Sequence, residues 1–290
     1  MSTRSDPITI EPLDATLGAV VTGVRLAALS DEAWKVVAGA FLDHAVLVFP
    51  AQHLSDDEQK AFGRRFGPLE TIGRTEGLTP IANVDRRGEL LAADHPAIGI
   101  MKGNEGWHTD SSYMPVSAKA SMLSAHVVPS SGGQTEWADM RAAYDALPAA
   151  RRRQLEGLAA HHSLVWSQRE AGYDNPGSSF YGFHDGPEPL RPLVKIHPET
   201  GRPALYIGRH AHDIPGLSAE ASRALLDELL AFACQPPRVY AHEWAVGDLV
   251  VWDNRCVLHR ARPYDLSERR VMKHTRICGD PVSEAALLSA

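Results

Sequence analysis

Short apolar or alternating runs, set apart by Gly, Pro, Asn and Asp, constrain this chain more than any other feature. They are "AVLVF" at 45–49, "SLVW" at 163–166, "PLVKIH" at 192–197, "ALYIG" at 204–208, "GDLVVWDN" at 247–254 and "RRVMKHTRI" at 269–277. Runs of this length, rich in β-branched residues and bounded by turn formers, read as strands. They do not alternate regularly with helices, which argues against a doubly wound parallel sheet and for a sandwich or barrel. Helical signals are few. Ser30 is a cap candidate ahead of "DEAWKVVAGAFLDH", and Ser55 and Glu58 have capping-box spacing. Asp139 precedes "MRAAYDAL", and Ser218 precedes the amphipathic "AEASRALLDELLAFA". The expectation is a mainly β fold with peripheral helices. One long irregular stretch, 167–192, interrupts the pattern and reads as a binding loop or a plain surface excursion.

No internal repeat or linker divides the 290 residues, so a single domain over 1–290 is expected. A net charge of −7 disfavours nucleic acid as a partner but leaves room for a small anionic substrate held by a few Arg or Lys. Three cysteines, Cys234, Cys256 and Cys278, make no disulfide framework and suit a reducing compartment. The first residues carry no apolar signal core, and the best apolar run, 36–50, is broken by Asp43 and His44. A cytoplasmic protein with no membrane partner is expected, and assembly into a homo-oligomer stays open.

The stretch "GWHTDSSY" at 106–113 places His108 and Asp110 two residues apart. In an extended segment such residues share a face, so an imidazole nitrogen and a carboxylate oxygen can reach one point. A surface hydrogen-bonded pair or two turn residues would look the same. His259, after the apolar core of "GDLVVWDNRCVLHRA", is a candidate third ligand. Two His and one carboxylate on one face leave metal positions open and suit non-haem Fe(II). The same set with zinc would suit a hydrolase. On "ERRVMKHTRI", Arg270, Met272, His274 and Arg276 fall on one strand face. Arg is costly to bury without a carboxylate, so Arg270 beside an apolar Met points to a buried anion, with Thr135 after "SSGG" a candidate hydroxyl partner. A salt bridge to one of the chain's own acids would also explain Arg270.

Together "WHTDSSY", "PSSGGQTEWADMRAAYDAL", "GDLVVWDNRCVLHRA" and "RRVMKHTRICGD" resemble the TauD/TfdA family of Fe(II)/2-oxoglutarate-dependent dioxygenases, in that family's order and from about Ile10 to Asp280. The resemblance implies a double-stranded β-helix (jelly-roll, cupin-like) core, iron as the metal, and 2-oxoglutarate and O2 as co-substrates. It implies His108, Asp110 and His259 as iron ligands, and Thr135 and Arg270 as the grip on the distal carboxylate of 2-oxoglutarate. Trp244 matches a position lining the co-substrate site. Within the family the chain looks most like the aryloxyalkanoate enzymes that act on phenoxypropionates and phenoxyacetates, giving a phenol and a 2-oxo acid. Taurine-type members have an Arg where this chain has His274, which weakens the taurine alternative. Arg209, Arg276 and Lys102 are then candidates to hold a substrate anion, and Ser111 is a candidate substrate contact. Trp107, Tyr113 and Trp166 could wall an aryl site or be plain core. A non-enzymatic binding barrel is the remaining competitor.

Overall fold

The computed structural model describes residues 7–72, 75–173, 184 and 186–287. A large sheet is built from Thr9–Pro12 (β1), Ala19–Thr22 (β2), Val46–Phe49 (β3), Thr79–Ala82 (β4), Ala120–Val127 (β5), Leu249–Asp253 and Val271–Ile277. A smaller sheet contains Thr135–Asp139 (β6), Val239–His242 (β7) and Val257–Ala261. With Leu249–Asp253 as β8, Val257–Ala261 as β9 and Val271–Ile277 as β10, the spatial orders are β1-β2-β3-β8-β5-β10-β4 and β7-β6-β9. Every pairing is antiparallel except β2 with β3. The two sheets form the jelly-roll core.

Strand β8 explains why its sequence is apolar throughout. Val250 and Trp252 face the inter-sheet core, where Trp252 lies 5.6 Å from Trp137 of the small sheet. Leu249 and Val251 face the other side, into a second core. A strand covered on both faces keeps no polar alternation. The second core is closed by Asp31–His44 (α1) and Asp56–Arg64 (α2), which bring Val37, Phe41 and Phe62 onto the sheet, joined by Phe66 just past α2. Each such buried side chain stabilises the fold by roughly 1.5–3 kcal/mol. Both helices start where their caps require. The Ser30 hydroxyl accepts from Ala33 N–H, and Ser55 and Glu58 close a reciprocal capping box.

Further helices are Pro96–Gly103 (α3), Met140–Ala146 (α4), Ala149–Leu155 (α5), Leu164–Glu170 (α6) and Ala219–Ala233 (α7). Asp139 and Ser218 cap α4 and α7 as expected. Two expectations are corrected. "SLVW" is not a strand: the Ser163 hydroxyl accepts from Trp166 N–H and starts α6. The stretch 167–192 is not irregular at its ends, because 167–170 complete α6 and Leu190–Pro192 pair with the strand Ala159–His162. Residues 174–183 and 185 of that stretch lie outside the described residues. Among the described residues no helix is long and apolar enough to cross a membrane.

Candidate metal centre

His259 sits mid-strand in β9, and His108 joins it through an isolated antiparallel bridge. The two residues exchange both backbone hydrogen bonds, at 2.9 and 2.7 Å. A pair that does so projects its side chains to the same side, and the imidazole centroids are 4.1 Å apart. Two residues on, the chain turns, with Ser111 at φ 55. Asp110 is thereby brought to 3.7 Å from His259, measured Oδ2 to Nε2. Ligand atoms of His108, Asp110 and His259 all lie within 4.8 Å of one another, and all three residues are buried.

The surroundings prepare these groups for a cation. His108 Nδ1 lies 2.7 Å from the Gly106 carbonyl, which requires a proton on Nδ1 and leaves the Nε2 lone pair free. Burial pushes the His108 imidazolium well below its ordinary range, and His259 lowers it further. Burial likewise lowers His259, to about 4. Both rings are therefore neutral near pH 7. Burial alone would raise the Asp110 carboxyl. Arg276, then His274 and His259, outweigh that and hold it well below the usual carboxylate range. Asp110 Oδ2 accepts from the Ser121 hydroxyl at 2.7 Å, and Oδ1 faces Arg276 Nη2 at 3.0 Å. Asn254 ties the turn down: it donates to Ser121 at 2.8 Å and accepts from Trp252 Nε1 at 3.0 Å and from the Asp110 N–H at 3.3 Å.

A small pocket beside the three residues is bordered also by Thr135, Arg270, His274 and Arg276. Arg270 is 5% exposed, yet among the described residues no carboxylate pairs with it. Its Nη2 reaches only the Gly133 carbonyl, at 3.1 Å, and its Nε has no hydrogen-bond partner. Desolvation accordingly lowers its pKa. A buried, under-satisfied guanidinium facing a pocket is what an anionic ligand would complete. Thr135 Oγ1 accepts from Trp244 Nε1 at 3.0 Å, so its own proton is free to be donated. Two nitrogens, one hard oxygen and a nearby anion socket fit a hard divalent metal chelated by an organic acid.

The other candidates from sequence divide. Trp244 does not border the pocket and acts on it through Thr135. Arg276 borders the pocket, but its charge is engaged by Asp110 and lies 3.8 Å from Glu70. The Ser111 hydroxyl is donated to Glu70 at 2.9 Å, and Ser111 is buried. Lys102 is exposed on α3, borders a separate outer cavity and stands away from the metal pocket, because its side chain leaves the helix on the solvent face. Arg209 donates to the carbonyls of Gly103 and Ser167 and to Gln168 Oε1, all neutral acceptors. Desolvation pushes its pKa down to about 10. Glycines make room for it: a Cβ on Gly106 would stand 3.1 Å from Arg209 Cδ, and one on Gly103 2.8 Å from Nη1. Tyr113 borders a cavity next to His274 and Arg276. Trp107 belongs to the inter-sheet core, and Trp166 stacks on His212 at 4.8 Å. Sequence reading missed Asn254, Ser121 and Gln168. Nothing in the spacing joins Gln168 to Arg209.

A two-histidine, one-carboxylate cluster buried in a jelly roll beside an anion socket defines the class of mononuclear metal-dependent oxygenases. The chain matches the family model "Taurine catabolism dioxygenase TauD, TfdA family" over residues 9–276. It is 56% identical over 284 residues to an (S)-phenoxypropionate/alpha-ketoglutarate-dioxygenase of Sphingobium herbicidovorans, covering 96% of this chain and 97% of that one. It is 44% identical over 251 residues to an alpha-ketoglutarate-dependent 2,4-dichlorophenoxyacetate dioxygenase of Cupriavidus pinatubonensis, covering 83% and 86%. The solved structure of AAD-2 in complex with Mn(II) and N-oxalylglycine matches with a TM-score of 0.88 at 37% identity, covering 98% of this chain and 100% of that one. The chain belongs to the TauD/TfdA family. As a member it is a 2-oxoglutarate-dependent dioxygenase that uses Fe(II) and O2.

Proposed function

We propose that the chain oxidises aryloxyalkanoates, phenoxypropionates or phenoxyacetates, at the carbon bearing the ether oxygen. His108, Asp110 and His259 would hold the iron, and Arg270 with Thr135 the distal carboxylate of 2-oxoglutarate. Iron held there supplies the O2 activation that decarboxylates 2-oxoglutarate to succinate and CO2 and delivers one oxygen atom to the substrate carbon. Hydroxylation at that carbon gives a hemiketal or hemiacetal. It collapses to a phenol and a 2-oxo acid without needing a protein acid or base.

The observation that carries the substrate reading is Arg209. It is a guanidinium with only neutral partners among the described residues, and it is hydrogen-bonded to Gln168. Gln168 in turn borders a cavity of about 250 Å³ that reaches His274 and Arg276. The cavity wall is apolar over Pro80, Ile81, Ala97, Ile100, Met101 and Leu164, which suits an aryl ring. A cation standing one residue behind the wall of an apolar cavity, at Gln168, matches a substrate with a carboxylate at one end and an arene at the other. His274 stacks on Trp252 at 5.7 Å and lies 3.4 Å from Asp110, so it belongs to the metal surroundings.

The test is a panel of (R)- and (S)-2-phenoxypropionate, phenoxyacetate and taurine with Fe(II) and 2-oxoglutarate, scored for succinate and phenol. Phenol and succinate in equal amounts from an aryloxyalkanoate support the reading. Succinate from taurine with no phenol from any aryloxy compound overturns it. Arg209→Met should raise KM for the aryloxy acid by roughly tenfold to a hundredfold, the loss of a charge-assisted contact, with 2-oxoglutarate binding unchanged.

A further inference from the structure

Two cavities converge on the metal pocket, both with largely apolar walls, and they differ in the charged residues at their edges. The apolar one just described shares Ile81, Asn104, His274 and Arg276 with it. The other, of about 400 Å³, shares Ile81, Asn104, Ala261 and Arg270 and continues outward past Tyr264 to Lys102 and Arg262. The Arg270 guanidinium thus borders both the metal pocket and this outer cavity, and its partnerless Nε is buried between them. Lys102 is exposed and has no ion pair among the described residues. Arg262 is half-exposed and stands 3.8 Å from Glu136, whose other carboxylate oxygen is already taken by Arg260 at 2.6 Å. Glu105 is the one acid on the lining, against three cations.

We infer that the outer cavity is a separate entry and exit route for the dicarboxylate co-substrate and its product, steered by Lys102 and Arg262. The inference rests on Arg270 holding the distal carboxylate of 2-oxoglutarate. The chemistry follows from charge. 2-Oxoglutarate and succinate carry two negative charges each, and a cleft rimmed by cations raises the encounter rate of such anions. The aryl acid needs an apolar approach, which the other cavity provides. Separate routes let the dicarboxylate be exchanged while the apolar cavity is filled.

Lys102→Glu/Arg262→Glu tests this with surface residues whose loss does not threaten folding. 2-Oxoglutarate binding is followed anaerobically by stopped flow, using the visible absorption of its Fe(II) chelate. At low ionic strength the double variant should associate severalfold to about tenfold more slowly, and the difference should vanish near 0.5 M salt, where screening is nearly complete. KM for phenoxyacetate and kcat at saturating 2-oxoglutarate should not move. A control, Lys35→Glu/Arg153→Glu, changes net charge equally on α1 and α5 away from all three pocket linings and should bind at the normal rate. An unchanged association rate at low salt, or equal slowing in the control or for the aryl acid, overturns the route. If Arg270→Ala leaves the equilibrium dissociation constant of 2-oxoglutarate as it was, the Arg270 assignment itself fails. An Arg270-dependent constant with an unchanged Lys102→Glu/Arg262→Glu rate overturns the route alone.

Discussion

Among the described residues, two buried clusters hold potential metal-ligand atoms within 4.8 Å of one another. His108, Asp110 and His259 do, and so do His197, Asp253 and Cys256. What separates them is where their lone pairs go. Asp253 Oδ1 accepts from the Arg255 N–H at 3.0 Å and Nε at 2.8 Å, while Oδ2 accepts from Arg255 Nη2 at 2.6 Å and lies 3.0 Å from His197 Nε2. His197 Nδ1 accepts from the N–H groups of Glu199 and Thr200, so its proton sits on Nε2 and points at Asp253. Burial pushes the Cys256 thiol far up, so with no cation beside it the thiol stays protonated. That cluster is closed. In the first, His108 Nε2 is free, His259 Nδ1 and Arg270 Nε lack partners, and a pocket opens beside them. Unspent hydrogen-bonding capacity next to a cavity, more than proximity, marks a binding site.

The sharpest way to break this contrast is to change one carboxylate in each cluster. Asp110→Ala should reduce Fe(II)- and 2-oxoglutarate-dependent turnover to background while the chain stays folded by circular dichroism. Asp253→Asn should keep full metal content and turnover per folded molecule but cost about 1.5–3 kcal/mol of stability, the value of hydrogen bonds to a charged group, because Arg255 then keeps only the part-exposed Glu199 as an acid partner among the described residues. A loss of bound metal in Asp253→Asn, measured by metal analysis, would end the distinction.

Protons give the next test. Burial depresses His108, His162, His210 and His259, the last to about 4. In the unfolded chain they titrate near 6.5, so between those values the unfolded state binds more protons. Stability is full above about pH 6.5 and is lost as pH falls toward 4. Thermal melts should follow that slope. The upward shift given by Mn(II) should stay nearly constant from pH 8 to 6, since the ligands are already deprotonated there. A Mn(II) shift that collapses between pH 7 and 6 would mean that His108 or His259 is protonated in the folded state.

Local signals were legible in the sequence because they depend on neighbours within four residues. Ser30, Ser55 with Glu58, Asp139 and Ser218 all cap where their spacing indicates. At "SLVW" a short apolar run has strand character, but the Ser163 cap starts a helix there. Helix α3 went unread because its sequence, "PAIGIMKG", carries two glycines. The shared facing of His274 and Arg276 follows from strand period, whereas Arg270 precedes β10 and a register shift at Val271/Met272, and all three border the metal pocket. Partner choice did not follow. Arg276, in β10, and Arg270, just before it, both border the metal pocket, yet one meets Asp110 and the other meets no acid among the described residues. That difference is set by the 106–113 turn, whose position depends on Asn254 and Ser121 far along the chain.

Within the open cluster, Arg270→Ala should weaken 2-oxoglutarate about tenfold to a hundredfold, the value of hydrogen bonds to a charged group, with Mn(II) affinity unchanged. Titration at fixed metal measures it. An equal loss for metal would show that Arg270 supports the ligands and not the anion.

Trp244 carries the smallest and most specific expectation. Its indole N–H occupies a lone pair of Thr135 Oγ1 at 3.0 Å, and an indole can only donate. The hydroxyl proton is thereby directed away from Trp244, toward the pocket that Thr135 borders. Trp244→Phe keeps the ring but releases the hydroxyl to rotate. One neutral hydrogen bond is then no longer oriented, worth about 0.5–1.5 kcal/mol, or roughly twofold to tenfold in 2-oxoglutarate affinity. Thr135→Val should cost about as much, and the double variant little more than either alone, because both remove the same donated proton. Additive losses in that cycle would show that Trp244 contributes through packing and not by aiming Thr135.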